Sequence, residues 1–268
     1  MTMAGPVPGQ GKTALITGAS SGIGYELAQL FAKDGFDLVL TGRQADKLLY
    51  LAGALKEKHG INTCVLVKDL ARPETPQEIS TELAQRGITV DLLVNNAGFG
   101  LRGAVAETPA ADELQMIQVN LTALTHLTKL FLPGMVSRGS GRILNVASTA
   151  AFQPGPFAAV YYATKAYVLS FSGALVNELQ GTGVSVTALC PGPTLTGFQT
   201  RAGMERSRLF RGPVMTAEQV ARLGYEGLMR GRALVIPGLR NKLLAFAVRL
   251  LPRDIVTAAV RRIQEPAR

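Results

Sequence analysis

Short apolar, β-branched runs alternate with longer stretches of helical period from residue 13 to residue 189, and this alternation constrains the fold more than any other feature of the chain. The first run, Thr13-Ala14-Leu15-Ile16-Thr17, has strand length; in the stretch after it, Glu26 to Lys33, the side chains of Leu27, Leu30 and Phe31 share one helical face. The same pattern predicts strands at 37–41, 63–68, 90–94, 142–147 and 184–189 and helices near 45–58, 76–85, 110–136 and 160–179. Gly35, Gly60, Gly87 and Gly181 fall where helices should stop. Strands this apolar on both faces need cover on both sides, so the expectation is a parallel sheet with helices on both faces. Right-handed crossovers make that sheet doubly wound, an α/β fold.

Past Cys190 the regularity changes. Pro191-Gly192-Pro193 leads into an Arg-rich stretch through Gly212, where Phe198, Met204, Leu209 and Phe210 alternate with Arg201, Arg206, Arg208 and Arg211. A helix near 217–229 and a short edge strand at 233–236 follow, and residues 1–238 read as one domain. Residues 239–268 read as a helical, basic extension of that domain. There Leu243, Leu244, Phe246, Ala247, Leu250 and Leu251 group against Arg240, Lys242, Arg249 and Arg253, with a break at Pro252 and a second helix near 255–263. Such an extension either closes the core or makes a dimer contact, or it lies on a membrane surface.

Charge divides along the chain in the same place. Residues 1–200 hold 14 Lys/Arg and 14 Asp/Glu, whereas residues 201–268 hold 14 and 5, so the whole net charge of +9 sits in the last quarter. Anionic lipid, an acidic carrier protein or a phosphorylated substrate would each suit such a tail. Nucleic acid suits it less, because no aromatic interleaving or recognised motif accompanies the charge, and none is expected as a partner. Cys64 and Cys190 are too few for a disulfide framework, the first residues lack the apolar centre of a secretory signal, and no uninterrupted apolar stretch approaches the length of about 18 residues that spans a bilayer. A cytoplasmic protein is expected. His59 and His126 are isolated, so no metal site is expected.

The first strand runs directly into Thr17-Gly18-Ala19-Ser20-Ser21-Gly22-Ile23-Gly24 and then a helix. Glycines at 18, 22 and 24, with Ser20, Ser21 and Ile23 between them, let the backbone approach a pyrophosphate, and the helix N-terminus offers free N–H groups and partial positive charge. A dinucleotide is the expected ligand. The second strand ends at Thr41-Gly42-Arg43, with no acidic residue beside the arginine to bind the ribose diol of NAD. A guanidinium there suits the 2′-phosphate of NADP instead.

Tyr161 and Lys165 are four residues apart in a predicted helix and so lie on one face, where an ammonium lowers the pKa of a phenol and makes it a usable proton donor. Tyr162, three residues from the lysine, competes for the same role. Ser148 ends a strand 13 residues before Tyr161, where its hydroxyl can reach the same carbonyl oxygen.

Together with the TGxxxGxG spacing of the glycine turn, these residues resemble the short-chain dehydrogenase/reductase family over roughly residues 12–236, in six motifs and in the expected order. The resemblance implies a Rossmann-type sheet and selects Tyr161 as the tyrosine of YxxxK. It implies that Asn120 is a fourth catalytic member, holding a water that links the lysine to solvent. It further implies an adenine contact at Asp69 and Leu70, an adenosine floor at Asn96, Ala97 and Gly98 within Asn95-Asn96-Ala97-Gly98, and a nicotinamide-amide segment at Pro191, Gly192, Thr194 and Thr196. Residues 197–212 sit where that family keeps a mobile lid. Phe99, Phe152 and Phe157 are candidate pocket walls.

The activity so implied is NADP(H)-dependent hydride transfer between the nicotinamide and a carbonyl or secondary alcohol, by a homo-oligomer. The apolar lid and basic tail favour a lipophilic or acyl-linked ketone, such as a 3-oxoacyl thioester. The alternative is an NADP-binding sensor or scaffold without turnover, against which the intact Ser148, Tyr161 and Lys165 set argues.

Overall fold

The structure is a computed structural model that describes residues 8–197 and 214–265; the lid expectation from Phe198 to Gly212 lies outside them. Alternation of strand and helix holds throughout: β1 (Thr13–Thr17), α1 (Gly22–Lys33), β2 (Asp37–Gly42), α2 (Ala45–His59), β3 (Thr63–Val67), α3 (Thr75–Gln85), β4 (Leu92–Asn95), α4 (Ala110–Ile117), α5 (Leu124–Ser137), β5 (Gly141–Val146), α6 (Ala159–Glu178) and β6 (Val184–Leu189). After these come β7 (Thr194–Leu195), β8 (Met215–Thr216), α7 (Ala217–Met229), β9 (Leu234–Val235), α8 (Leu239–Ala247) and α9 (Arg253–Gln264).

Seven strands form one parallel sheet in the order β3-β2-β1-β4-β5-β6-β9, a Rossmann-type doubly wound arrangement with helices on both faces. Period two explains the layers, because successive strand residues face opposite sides. Ile16, Leu38, Leu40 and Val94 join Leu27, Phe31, Leu48 and Leu228 in one apolar layer. Leu15, Val39, Leu93 and Ile143 join Ile79, Leu83, Leu127 and Leu175 in the other. Each such side chain, fully buried, contributes roughly 1.5–3 kcal/mol.

Two details position the site. The chain leaves β1 toward β2 on one side and reaches β4 on the other, so the loops after β1 and β4 diverge and open a crevice at the carboxyl ends of the strands. The long helix expected over 110–136 is interrupted by a π-helical turn, Gln118–Ala123. Apolar periodicity does not register one extra residue in a turn; here the turn carries Asn120 to the backbone of Phe99, a long-range contact.

The two helices after residue 238 behave differently. α9 buries Val256 and Gln264, and its second half packs against the cluster that contains Tyr161 and Tyr162. In α8 only Ala245 is buried, and the leucines around it are exposed.

Candidate active site

Residues of the glycine turn, of the loops after β2, β3, β4, β5 and β6, and of α6 and α9 line one cleft of about 760 Å³. Gly18 has φ 66°, a left-handed conformation, and a Cβ there would stand 3.0 Å from the Ala97 Cα and the Asn96 Nδ2. Gly24 does not line the cleft; a Cβ on it would come within 2.4 Å of the Gly18 carbonyl oxygen and the Asn96 Nδ2, so glycine lets α1 start against the turn. Thr17 fastens the opposite wall, its Oγ1 accepting from the backbone N–H groups of Asn96 and Ala97, both at 2.9 Å. Ser21, the residue before α1, makes no side-chain cap, and the first turn holds no acidic residue. The first N–H groups of α1 thus face the cleft at its positive end without a carboxylate of their own.

Arg43 and Asp69 stand at the outer end, with 3.9 Å between Arg43 Nη1 and Asp69 Oδ2. The expectation of an arginine without a carboxylate beside it holds in sequence and not in space, because β2 and β3 are hydrogen-bonded neighbours and bring both residues to one edge. Lys47 lines the same end, as does Leu70. Lys68 lies there too, tied to Glu78 at 3.1 Å.

The inner end is buried. Lys165 is 5% exposed, donates from Nζ to the Val146 carbonyl at 2.8 Å, and stands 5.9 Å from the centroid of the Tyr161 ring. Burial lowers its ammonium to about 8. Burial also pushes the Tyr161 hydroxyl up to about 12, against a hydrogen bond to Ser148 that draws it down. The depression of Tyr161 by Lys165 expected from sequence is therefore outweighed here, since the ammonium lies beside the ring and is held by a backbone carbonyl. Ser148 Oγ accepts from the Ala150 N–H at 3.1 Å and donates to the Pro191 carbonyl at 3.4 Å.

Tyr162 has a different environment. Its hydroxyl accepts from Gln264 Nε2 at 2.8 Å, and its ring lies against Gly155. Asn120 is behind the cleft wall: Oδ1 accepts from the Phe99 N–H at 3.0 Å and Nδ2 donates to the Phe99 carbonyl at 2.9 Å. Gly98 separates it from Lys165; a Cβ there would be 3.0 Å from Asn120 Oδ1 and 3.5 Å from Lys165 Nζ. Pro191, Gly192, Thr194 and Thr196 line the cleft, with Thr196 packed over Gly22. Phe99 is a wall as expected. Phe152 and Phe157 are not; the Arg249 and Arg261 guanidinium groups cover their rings at 5.9 and 5.1 Å.

Residues 12–207 match the short chain dehydrogenase family. The chain belongs to that family. It is 36% identical over 192 residues to a human very-long-chain 3-oxoacyl-CoA reductase, a match covering 70% of this chain and 61% of that one, so this chain spans about three-fifths of the relative's length. A short-chain dehydrogenase from Sphingobium yanoikuyae in complex with NADPH superposes with a TM-score of 0.80 at 35% identity, covering 89% of this chain and 94% of that one. A short-chain dehydrogenase/reductase from Burkholderia phymatum in complex with NAD gives 0.80 at 27% identity, over 92% and 95%. Sequence match and fold therefore agree on the short-chain dehydrogenase family.

Several cleft residues escaped the sequence analysis, Lys47, Lys68 and Val119 among them, and Gln264 is the most remote in sequence. Gln264, 1% exposed, lines the cleft from α9 beside Tyr162, and Arg102 holds its main-chain carbonyl. It lies 102 residues from Tyr162 in a segment whose period spoke only of amphipathicity, so no local pattern pointed to it.

Proposed function

We propose that this short-chain dehydrogenase reduces a lipophilic or acyl-linked ketone with NADPH, and that Tyr161 donates the proton. One observation carries the assignment: the hydroxyls of Tyr161 and Ser148 are hydrogen-bonded at the buried end of the cleft, with Lys165 Nζ against the same tyrosine. A carbonyl oxygen set between the two hydroxyls would accept from both, and Ser148 would orient it. Tyr162 is the poorer candidate, because its hydroxyl pairs with Gln264 and not with Ser148.

The cleft suits a dinucleotide. The uncapped N-terminus of α1, flanked by Ser20, Ser21, Gly22 and Ile23, forms a cradle for a pyrophosphate, and the missing Cβ at Gly18 and Gly24 lets that turn pack against Asn96 and Ala97. Asp69 and Leu70 would take the adenine, Asn96, Ala97 and Gly98 the adenosine floor, and Pro191, Gly192, Thr194 and Thr196 the nicotinamide amide. Bound there, the nicotinamide supplies the hydride. Lys165, its Nζ held by the Val146 carbonyl and 5.9 Å from the centroid of the Tyr161 ring, would hold the ribose at the inner end. Asn120, whose amide is engaged with Phe99, would brace that lysine's neighbourhood and hold the water that links the lysine to solvent. Arg43 with Lys47 supports NADP over NAD, and the NADPH-bound relative supports it further.

The substrate class rests on the 3-oxoacyl-CoA reductase relative and on the apolar walls Phe99 and Val119. Cytoplasmic residence accords with two free cysteines, and among the described residues no helix is long and apolar enough to cross a membrane. A homo-oligomer is part of the proposal. The test is oxidation of NADPH and NADH by the purified protein across a carbonyl panel that includes 3-oxoacyl thioesters. Turnover preferring NADPH and long acyl chains is expected; binding of NADPH without turnover of any carbonyl would leave a sensor or scaffold in its place.

A further inference from the structure

The sixteen large apolar side chains exposed among the described residues are not spread evenly, for eight of them fall between Leu239 and Ile263. Leu239, Leu243, Phe246 and Leu250 are 60–72% exposed, and Leu244 and Leu251 adjoin them. A soluble surface rarely gathers this much apolar area without a partner. The same stretch carries Arg240, Lys242, Arg249 and Arg253, all exposed, and no carboxylate from 239 to 253.

We propose that α8 and the turn after it dock on an anionic lipid surface. Charge decides between occupants. A second copy on a two-fold axis would set these four cations against the same four, with no acidic residue in the patch to neutralise them. A bilayer surface meets both halves of the pattern: leucines and Phe246 enter the acyl boundary while the guanidinium and ammonium groups stay among anionic headgroups. Ala245, the one buried residue of α8, and Asn241, packed against Gly192, fix the helix to the body of the protein, so its outer face is presented as a rigid unit. Gly192 lines the cleft, and the lipid surface would therefore lie beside the entrance taken by an apolar substrate. The inference stands apart from the catalytic assignment, since docking is read without substrate.

The test uses the full chain with vesicles of phosphatidylcholine alone or with about 30% phosphatidylglycerol. Because the protein has no tryptophan, Leu250→Trp gives a single reporter. Co-sedimentation at least about tenfold stronger on the anionic vesicles, with a blue shift of the reporter, is expected. Leu243→Glu with Leu250→Glu should abolish it, and Arg240→Gln with Lys242→Gln should weaken it about tenfold while NADPH-induced thermal stabilisation is kept. No sedimentation at millimolar lipid, or equal sedimentation of the glutamate variant, overturns the proposal. So does a stable dimer that Leu243→Glu dissociates, or retention on an acidic carrier protein but not on vesicles.

Discussion

At the inner end of the cleft Tyr161, Lys165 and Asn120 are each at least nine-tenths buried, whereas at the outer end Arg43 and Asp69 keep two-fifths or more of their side-chain surface. Lys165 and Asn120 are fixed by hydrogen bonds to the backbone of Val146 and Phe99; the outer pair meets at 3.9 Å in water. Burial shifts the titration of Tyr161 and Lys165, and an exposed pair contributes little by comparison. Changes at the inner end should therefore act on the chemical step, and changes at the outer end on which nucleotide is held.

The largest effect should come from Tyr161→Phe, which removes the hydroxyl and keeps the ring packing. Turnover should fall by roughly 10²–10⁴-fold, as for loss of a general acid, with NADPH affinity within about threefold of the parent. Tyr162→Phe should cost far less. Steady-state rates on the best carbonyl check both, and a reversed order would sink the assignment of Tyr161.

Next in size are the glycines of the cradle. Gly24→Ala drives a methyl into the Gly18 carbonyl and Asn96, and should cost about 1–3 kcal/mol of stability together with most NADPH binding. Gly53, in the exposed middle of α2 with nothing near its Cβ direction, is the control: Gly53→Ala should raise stability by up to about 1 kcal/mol. Thermal melts with and without NADPH give opposite signs for the two alanines if the cradle is as described.

Sequence reasoning reached the two ends of the cleft unequally. The strands, the glycine turn and the Tyr161–Lys165 pair were legible because period two, period 3.6 and an i,i+4 spacing are local quantities. The π-turn at Gln118–Ala123, the approach of Asp69 to Arg43 and the entry of Gln264 into the cleft are products of strand order and of helix docking across more than a hundred residues. For the same reason the last 30 residues read as one amphipathic, basic segment, although α9 is drawn into the site and α8 is left facing out.

Arg43 tests the outer end directly. Arg43→Ala should reduce the preference for NADPH over NADH by about tenfold, worth about 1.4 kcal/mol, without changing turnover of the bound complex. Asp69→Asn should act in the opposite direction and by less, because removing a half-exposed carboxylate frees a guanidinium that water already screens. Titrations with both nucleotides decide it; equal loss of NADPH and NADH affinity in Arg43→Ala would remove the arginine from the specificity argument.

The smallest effect is a slope. Folding holds the Lys165 ammonium at about 8, against 10.5 for an ordinary lysine, so between those values the unfolded chain binds the additional proton. Stability should rise with pH in that window, and fall back as pH drops through 8. The cleanest interval is pH 8 to 9, because the raised values of Tyr161 and Cys190 act with opposite sign only above about 10 and 9. Lys165→Met keeps the buried stem and removes the titration. Denaturant midpoints across pH 8–9 should therefore climb more steeply in the parent than in the variant, by at most about 1 kcal/mol per pH unit. Equal slopes would mean that water reaches Lys165 in solution, and the contrast between a dry inner end and a wet outer end would be lost.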